Sequence, residues 1–124
     1  MEKNQCVLVR RDSGEKSFVS LDGIEDTVAK MLDDIHAGLY ERAKKNLEDN
    51  TYPCATLAEV KEKMAARGGF AKTMWCGDQA CEVRMKEEAG VTSRCIPFEQ
   101  EKLGEVCACC GKPAKHMVVW GVAY

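Results

Sequence analysis

Two short cysteine pairs constrain this chain more than any other feature. They are Cys76-Gly77-Asp78-Gln79-Ala80-Cys81 and Cys107-Ala108-Cys109-Cys110-Gly111, with 25 residues between Cys81 and Cys107. A tetrahedral Zn²⁺ takes four soft thiolates, and two close-spaced pairs supply them at modest chain-closure cost. In Cys107-x-x-Cys110-Gly111 a tight fold turns both sulfurs to one point, and Gly111 supplies the positive φ that such a turn often requires. In Cys76-x₄-Cys81 the first thiolate is expected at a strand end and the second in a helix's first turn. Backbone N–H groups and the helix dipole favour negative sulfur there. The second pair is the specific half of the signal; the first gains weight only beside it.

The remaining thiols leave the ligand set partly open. Cys109 competes for a position, although its side chain should point away if Cys107 and Cys110 converge. His116 could replace a cysteine, but it sits in a strand after a Pro-containing loop and reads as a surface histidine. Cys6, Cys54 and Cys95 lie in apolar extended stretches and read as small buried hydrophobes. Thiol–disulfide exchange at C-x-x-C calls for a helix starting at the motif, whereas Gly111-Lys112-Pro113 and a strand follow here.

An even count of eight cysteines also allows a disulfide framework, which needs an oxidising compartment. The N-terminus has no signal-like apolar stretch and Cys109 adjoins Cys110, so the expectation is reduced thiols plus metal in the cytoplasm. No apolar run approaches the ~20 residues of a membrane span. With 18 basic and 20 acidic residues the formal charge is −2, which gives no strong nonspecific grip on nucleic acid. At 124 residues a core is feasible but thin, so a metal tie would help.

Along the chain, Cys6-Val7-Leu8-Val9-Arg10 and Ser17-Phe18-Val19 flank the turn signal Asp12-Ser13-Gly14 and predict a hairpin. Arg10, Arg11 and Lys16 make its tip basic and solvated. Asp22 with Glu25 is a helix-start signature, and Ile24, Val28, Leu32, Ile35, Leu39, Ala43 and Leu47 follow at steps of three and four. The predicted amphipathic helix, about 22–50, is roughly 40 Å long. That length either reaches toward a neighbouring domain or forms a long core helix. Thr51 to Ala55 reads as extended; Thr56-Leu57-Ala58-Glu59 is a capping box opening a helix to Arg67, stopped by Gly68-Gly69. Phe70 to Trp75 is a strand delivering Cys76, and a third helix spans about 78–89 before Gly90. Ser93 to Phe98 is extended, ending or edging at Pro97; 99–105 is loop, and 115–124 is a final strand. The order β-β-α-β-α-β-α-β-β predicts an α+β fold: a small mixed β-sheet packed on two or three helices, with a Cys₄ zinc knuckle.

No phosphate-cradling, nucleophile-elbow or His-Glu-x-x-His motif is present. Several motifs in order nevertheless carry a resemblance. They are Gly68-Gly69-Phe70-Ala71-Lys72, Trp75-Cys76-Gly77-Asp78 with Cys81-Glu82, Ser93-Arg94-Cys95-Ile96-Pro97-Phe98, Cys107-x-x-Cys110-Gly111-Lys112-Pro113-Ala114-Lys115 and Ala123-Tyr124. Together they closely resemble the C-terminal domain of archaeal/eukaryote-like (type 3) prolyl-tRNA synthetase. Residues from Glu2 through Lys16 are similar to the last strands of that enzyme's anticodon-binding domain, so the resemblance covers nearly the whole chain.

The resemblance implies terminal strands of an anticodon-binding domain at 1–20 and a zinc-binding domain at 21–124. It implies structural zinc on Cys76, Cys81, Cys107 and Cys110, and a terminal Tyr124 whose carboxylate folds back toward the catalytic domain. The family's enzyme is a homodimeric, cytoplasmic class II synthetase that joins proline to tRNA(Pro) through an ATP-derived prolyl-adenylate. The arginine-bearing ATP motif and Gly-x-Gly-x-x-x-Arg are absent here, so no residue of this chain is expected to be catalytic. ATP and Mg²⁺ then belong to the parent enzyme alone, and the expected partners are its catalytic and anticodon-binding domains, with tRNA(Pro) reached through them. The competing reading is an independent zinc-ribbon adaptor that touches RNA phosphate, or a protein, through Lys112, Lys115 and His116.

Overall fold

A computed structural model describes residues 4–123 of the chain. It comprises β1 (Gln5–Val9), β2 (Lys16–Ser20), α1 (Ile24–Asp49), β3 (Thr51–Pro53), α2 (Leu57–Arg67), β4 (Phe70–Trp75), α3 (Gln79–Ala89), β5 (Val91–Cys95) and β6 (His116–Val122). The order is the α+β order expected. The chain divides into two compact units, Met1–Asn46 and Leu47–Tyr124, the division falling inside α1.

In the first unit β1 and β2 pair antiparallel, with Cys6 opposite Val19 and Val7 opposite Phe18. Strand alternation half-buries Cys6, Leu8, Ser17 and Val19 and turns Val7, Val9 and Phe18 outward. The hairpin tip is less open than its composition suggests. Arg10 donates to both Asp12 carboxylate oxygens at 3.1 and 3.0 Å, and Arg42 Nη2 lies 3.7 Å from the second. This pair holds Arg10 above its ordinary pKa and Asp12 below its own, the side-chain hydrogen bond being the main cause of each.

Helix α1 has the predicted length, but its start is displaced. Gly23 stands immediately before Ile24, and the Asp22 carboxylate accepts from Asn4 Nδ2 at 2.9 Å. Val28 and Ile35 are half-buried, whereas Leu32, Leu39 and Leu47 are exposed, so the apolar stripe is only partly covered. No residue of α1 is fully buried.

The second unit is a four-stranded mixed sheet in the order β3-β4-β6-β5. β3 runs parallel to β4, and β6 is antiparallel to both of its neighbours. α2 begins at the predicted cap: Thr56 Oγ1 accepts from Glu59 N at 3.3 Å, and Glu59 reaches back to Ala55 N at 2.7 Å. Val60 and Met64 of α2, Met85 of α3 and Ala71, Val91, Val118 and Trp120 of the sheet form one buried cluster. Thr73 is the buried polar residue within it, and its Oγ1 accepts from Trp120 Nε1 at 2.9 Å. A buried donor and acceptor satisfy each other there.

Gly69 is required by close approach. It has φ of 90°, and a Cβ would stand 2.3 Å from Asn50 O, the atom that accepts from Phe70 N at 2.8 Å. Only glycine lets β4 start against the end of α1 in this way. β5 is the element whose bounds differ most from expectation, beginning at Val91 and ending at Cys95. Its register with β6 is irregular between Ser93 and Cys95, and Gln100 Oε1 beyond it takes Met117 N at 2.6 Å. A side-chain amide thus occupies a ladder position that a longer strand would need.

The three non-pair cysteines do not all become core. Cys54 is buried, Cys6 is half-buried and Cys95 is exposed. Cys95 ends an edge strand, where an apolar run has no neighbour to bury it. Tyr124 lies outside the described residues.

Candidate metal centre

The two cysteine pairs, far apart in sequence, converge. Sγ atoms of Cys76, Cys81, Cys107 and Cys110 all lie within 4.8 Å of one another, and Cys76 Sγ is 3.7 Å from both Cys81 Sγ and Cys110 Sγ. With metal–sulfur bonds of about 2.3 Å, tetrahedral geometry sets sulfurs about 3.8 Å apart. The donor set therefore fits a four-coordinate thiophilic cation in both chemistry and spacing.

Local chain geometry explains the convergence. β4 ends at Trp75 and places Cys76 at its exit. Asp78 then caps α3: its side chain accepts from Ala80 N at 2.9 Å and its carbonyl from Cys81 N at 3.0 Å. This puts Cys81 in the first turn of α3, facing back toward Cys76. Across the site, Cys107 N donates to Lys112 O at 2.8 Å and Gly111 N to Cys107 O at 2.9 Å. Gly111 adopts φ of 73°, which closes the knuckle and aims both of its sulfurs inward.

Backbone bonds fasten the knuckle to the rest of the second unit. Ala108 N donates to Met74 O at 3.0 Å, while Ala108 O accepts from Leu57 N at 3.0 Å. One residue inside the loop thus ties the end of β4 to the start of α2. Lys115 N reaches Trp75 O at 2.8 Å and leads the chain into β6.

The electrostatics favour a cation. Burial leaves Cys76, Cys81 and Cys107 at 8%, 4% and 3% exposure. Burial, followed by the neighbouring Cys110 and Cys76 sulfurs, pushes Cys81 far above the ordinary thiol pKa. Burial also raises Cys76, against an opposing N–H from Asp78. Cys107 goes the other way: burial opposes ionisation there, but backbone N–H groups of Cys110 and Cys109 and the Cys76 contacts bring it down to about 7. Four crowded sulfurs cannot all ionise alone, and a dication would relieve that conflict.

Cys109 is absent from the four-sulfur group. Its side chain is half-buried and packs against both the thiol cluster and the main core. His116 is exposed at the start of β6 and stands outside the group, as do exposed Lys112 and Lys115. Sequence reasoning missed Arg84, whose Nη1 donates to Cys109 O at 3.2 Å while its Nε donates to Glu88 at 3.0 Å. The available signal was its i+3 spacing from Cys81, which sets both on one helix face.

Four cysteines gathered where a loop meets the junction of a strand and a helix define a domain with a site that could hold a metal ion. Residues 57–124 match the family "Prolyl-tRNA synthetase, C-terminal". Over all 124 residues the chain is 54% identical to Proline--tRNA ligase of Clostridium novyi (strain NT). It is 52% identical to Proline--tRNA ligase 2 of Bacillus thuringiensis (strain Al Hakam) and 52% identical to Proline--tRNA ligase of Clostridium botulinum (strain ATCC 19397 / Type A). In each case the match covers 100% of this chain and 26% of the relative, so the chain spans about a quarter of their length. The chain belongs to the prolyl-tRNA synthetase family, as its C-terminal domain. Among the described residues no helix is long and apolar enough to cross a membrane.

Proposed function

We propose that this domain is a noncatalytic brace of a proline–tRNA ligase, held in shape by one structural zinc ion on Cys76, Cys81, Cys107 and Cys110. The observation that carries the reading is the set of four sulfurs within 4.8 Å, assembled from two otherwise separate chain segments. When bound, zinc supplies charge neutralisation and cross-linking, and no open coordination position remains for chemistry. Cys76 and Cys81 present the end of β4 and the start of α3; Cys107 and Cys110 present the loop that Ala108 ties to α2. The ion thereby substitutes for core that a domain of this size lacks.

In the parent enzyme, residues 1–20 complete an anticodon-binding domain and 21–124 form the zinc-binding domain, with the helix at about 22–50 connecting them. The outward Val7, Val9 and Phe18 support this, because a two-stranded sheet with an exposed apolar face needs further strands or a cover. The rest of the synthetase is then the first partner, tRNA(Pro) is reached through it, and the parent acts as a cytoplasmic homodimer. ATP and Mg²⁺ are handled by its catalytic domain.

The test is chelation followed by selective reconstitution of the purified chain. Thermal stability should fall on chelation and return with Zn²⁺ but not with Mg²⁺ or Ca²⁺, which prefer oxygen ligands. Unchanged melting throughout would remove the structural role.

A further inference from the structure

Helix α3 and the knuckle each carry part of the sulfur set. Cys81 stands in the first turn of the helix, and Cys107 and Cys110 stand on the loop. One side chain joins the two outside the sulfurs. Arg84 follows Cys81 by three positions and lies on the same helix face. Its Nη1 donates to Cys109 O at 3.2 Å, and its Nε donates to Glu88 Oε1 at 3.0 Å, one helical turn further on. The planar guanidinium is thereby fixed through two of its nitrogens.

We propose that Arg84 is a positioning residue of the metal centre. It sets the knuckle against α3 so that Cys107 and Cys110 meet Cys76 and Cys81 at coordination spacing. The proposal rests on the zinc reading above and adds to it the side chain that prepares the site.

The geometry gives the bond that role. Cys109 O belongs to the peptide unit that leads into Cys110, and no cis peptide bond occurs among the described residues. A planar trans unit turns as one body, so holding its oxygen fixes the direction in which the backbone of Cys110 starts. From there Cys110 Sγ reaches to 3.7 Å from Cys76 Sγ. The loop is already fastened through Ala108 to β4 and α2. Arg84 adds the tie to α3, the element that carries Cys81. With both halves of the site held before an ion arrives, less ordering is left for the binding step. Charge acts in the same direction: four thiolates on Zn²⁺ carry a net −2, and Arg84 is a permanent cation bonded to the ligand loop. Its side chain is 48% exposed, so its removal opens no cavity in the core.

The experiment measures zinc affinity of the purified chain, by chelator competition, in wild type, Arg84→Met, Arg84→Lys and Lys86→Met. Arg84→Met should bind zinc about 10- to 100-fold more weakly, the usual loss when a group that orients metal ligands is removed. Arg84→Lys should lose less, because its ammonium keeps the charge and can reach Cys109 O but lacks the fork that also engages Glu88. Lys86→Met removes a charge from the same helix, leaves Cys109 O its donor and should bind as wild type does. The absorption of the Co²⁺-loaded protein reads ligand geometry. Arg84→Met should keep the thiolate charge-transfer bands and shift the ligand-field bands. Wild-type zinc affinity in folded Arg84→Met, whatever its melting temperature, would overturn the proposal, because a merely stabilising side chain predicts that result. Weaker binding with an unshifted cobalt spectrum, or an equal loss in Lys86→Met, would overturn it too. Should Arg84→Met fail to fold, Arg84→Lys decides: weaker binding than wild type supports the proposal, and wild-type binding contradicts it. Wild type that takes up no zinc would instead remove the metal reading itself.

Discussion

Cys76 Sγ and Cys110 Sγ lie 3.7 Å apart, although 34 positions separate the two residues in sequence. Nothing covalent joins them, and burial makes the Cys76 thiol hard to ionise. With the proposed zinc ion bound, the contact would be half of a metal cross-link between the exit of β4 and the knuckle. It follows that the stability of the second unit should depend on the ion more than on any single apolar side chain.

Cys107→Ser removes the ligand best prepared to be a thiolate. It should abolish tight zinc binding and cost about 3 kcal/mol or more of folding stability, a drop in melting temperature of roughly 10 °C. Calorimetry with and without added zinc measures both, and melting of the variant should no longer respond to zinc.

The pH dependence separates loaded from stripped protein. In the stripped protein, Cys107 titrates at about 7 against 9.0 ordinarily, so its contribution is present above 9 and is lost as pH falls through 7. Cys76 and Cys81 are shifted upward, so theirs is present below 9 and is lost as pH rises further. The joint contribution of these three thiols to the stability of stripped protein should therefore be greatest near pH 9.0, the ordinary thiol value. The loaded protein should instead lose zinc on acidification, because protons compete for all four sulfurs. Melting curves across pH with and without chelator show whether the two profiles diverge.

Thr73→Val keeps volume but removes the acceptor for Trp120 Nε1 in the buried core. It should destabilise by about 1–3 kcal/mol, and Thr73→Ser by less, since the hydroxyl remains. Denaturant unfolding of both variants tests this order.

Gly69→Ala would place its Cβ 2.3 Å from Asn50 O at a φ of 90°. Loss of about 2 kcal/mol or more is expected, with amide exchange accelerated along β3 and β4. A neutral substitution would show that this approach is not rigid.

The purified chain should show no proline-dependent ATP–pyrophosphate exchange, because the motifs that hold ATP in class II synthetases do not occur in its sequence. Robust exchange would place catalytic residues inside this domain.

Much of this fold was legible because its punctuation is local. Thr56 with Glu59, Asp78, Gly68 and Gly90 mark helix ends through side-chain caps and turns that act within a few residues. The four cysteines that converge were legible for the same reason, since spacing within each pair reports a local turn. What escaped depends on distant partners. The short β5 follows from Gln100 occupying the backbone of Met117, and exposed Cys95 follows from the sheet edge. The Asp12 clasp on Arg10, reinforced by Arg42 from α1, likewise needs the folded first unit. The same holds for Ala108, an unremarkable residue in sequence whose two backbone groups join β4 to α2.

Elemental analysis of the freshly purified chain tests the central claim most directly. The account predicts one zinc ion per chain, bound to Cys76, Cys81, Cys107 and Cys110 and lost when Cys76 or Cys107 is replaced. Folded protein carrying no thiophilic metal, and acquiring none when zinc is supplied, would contradict it.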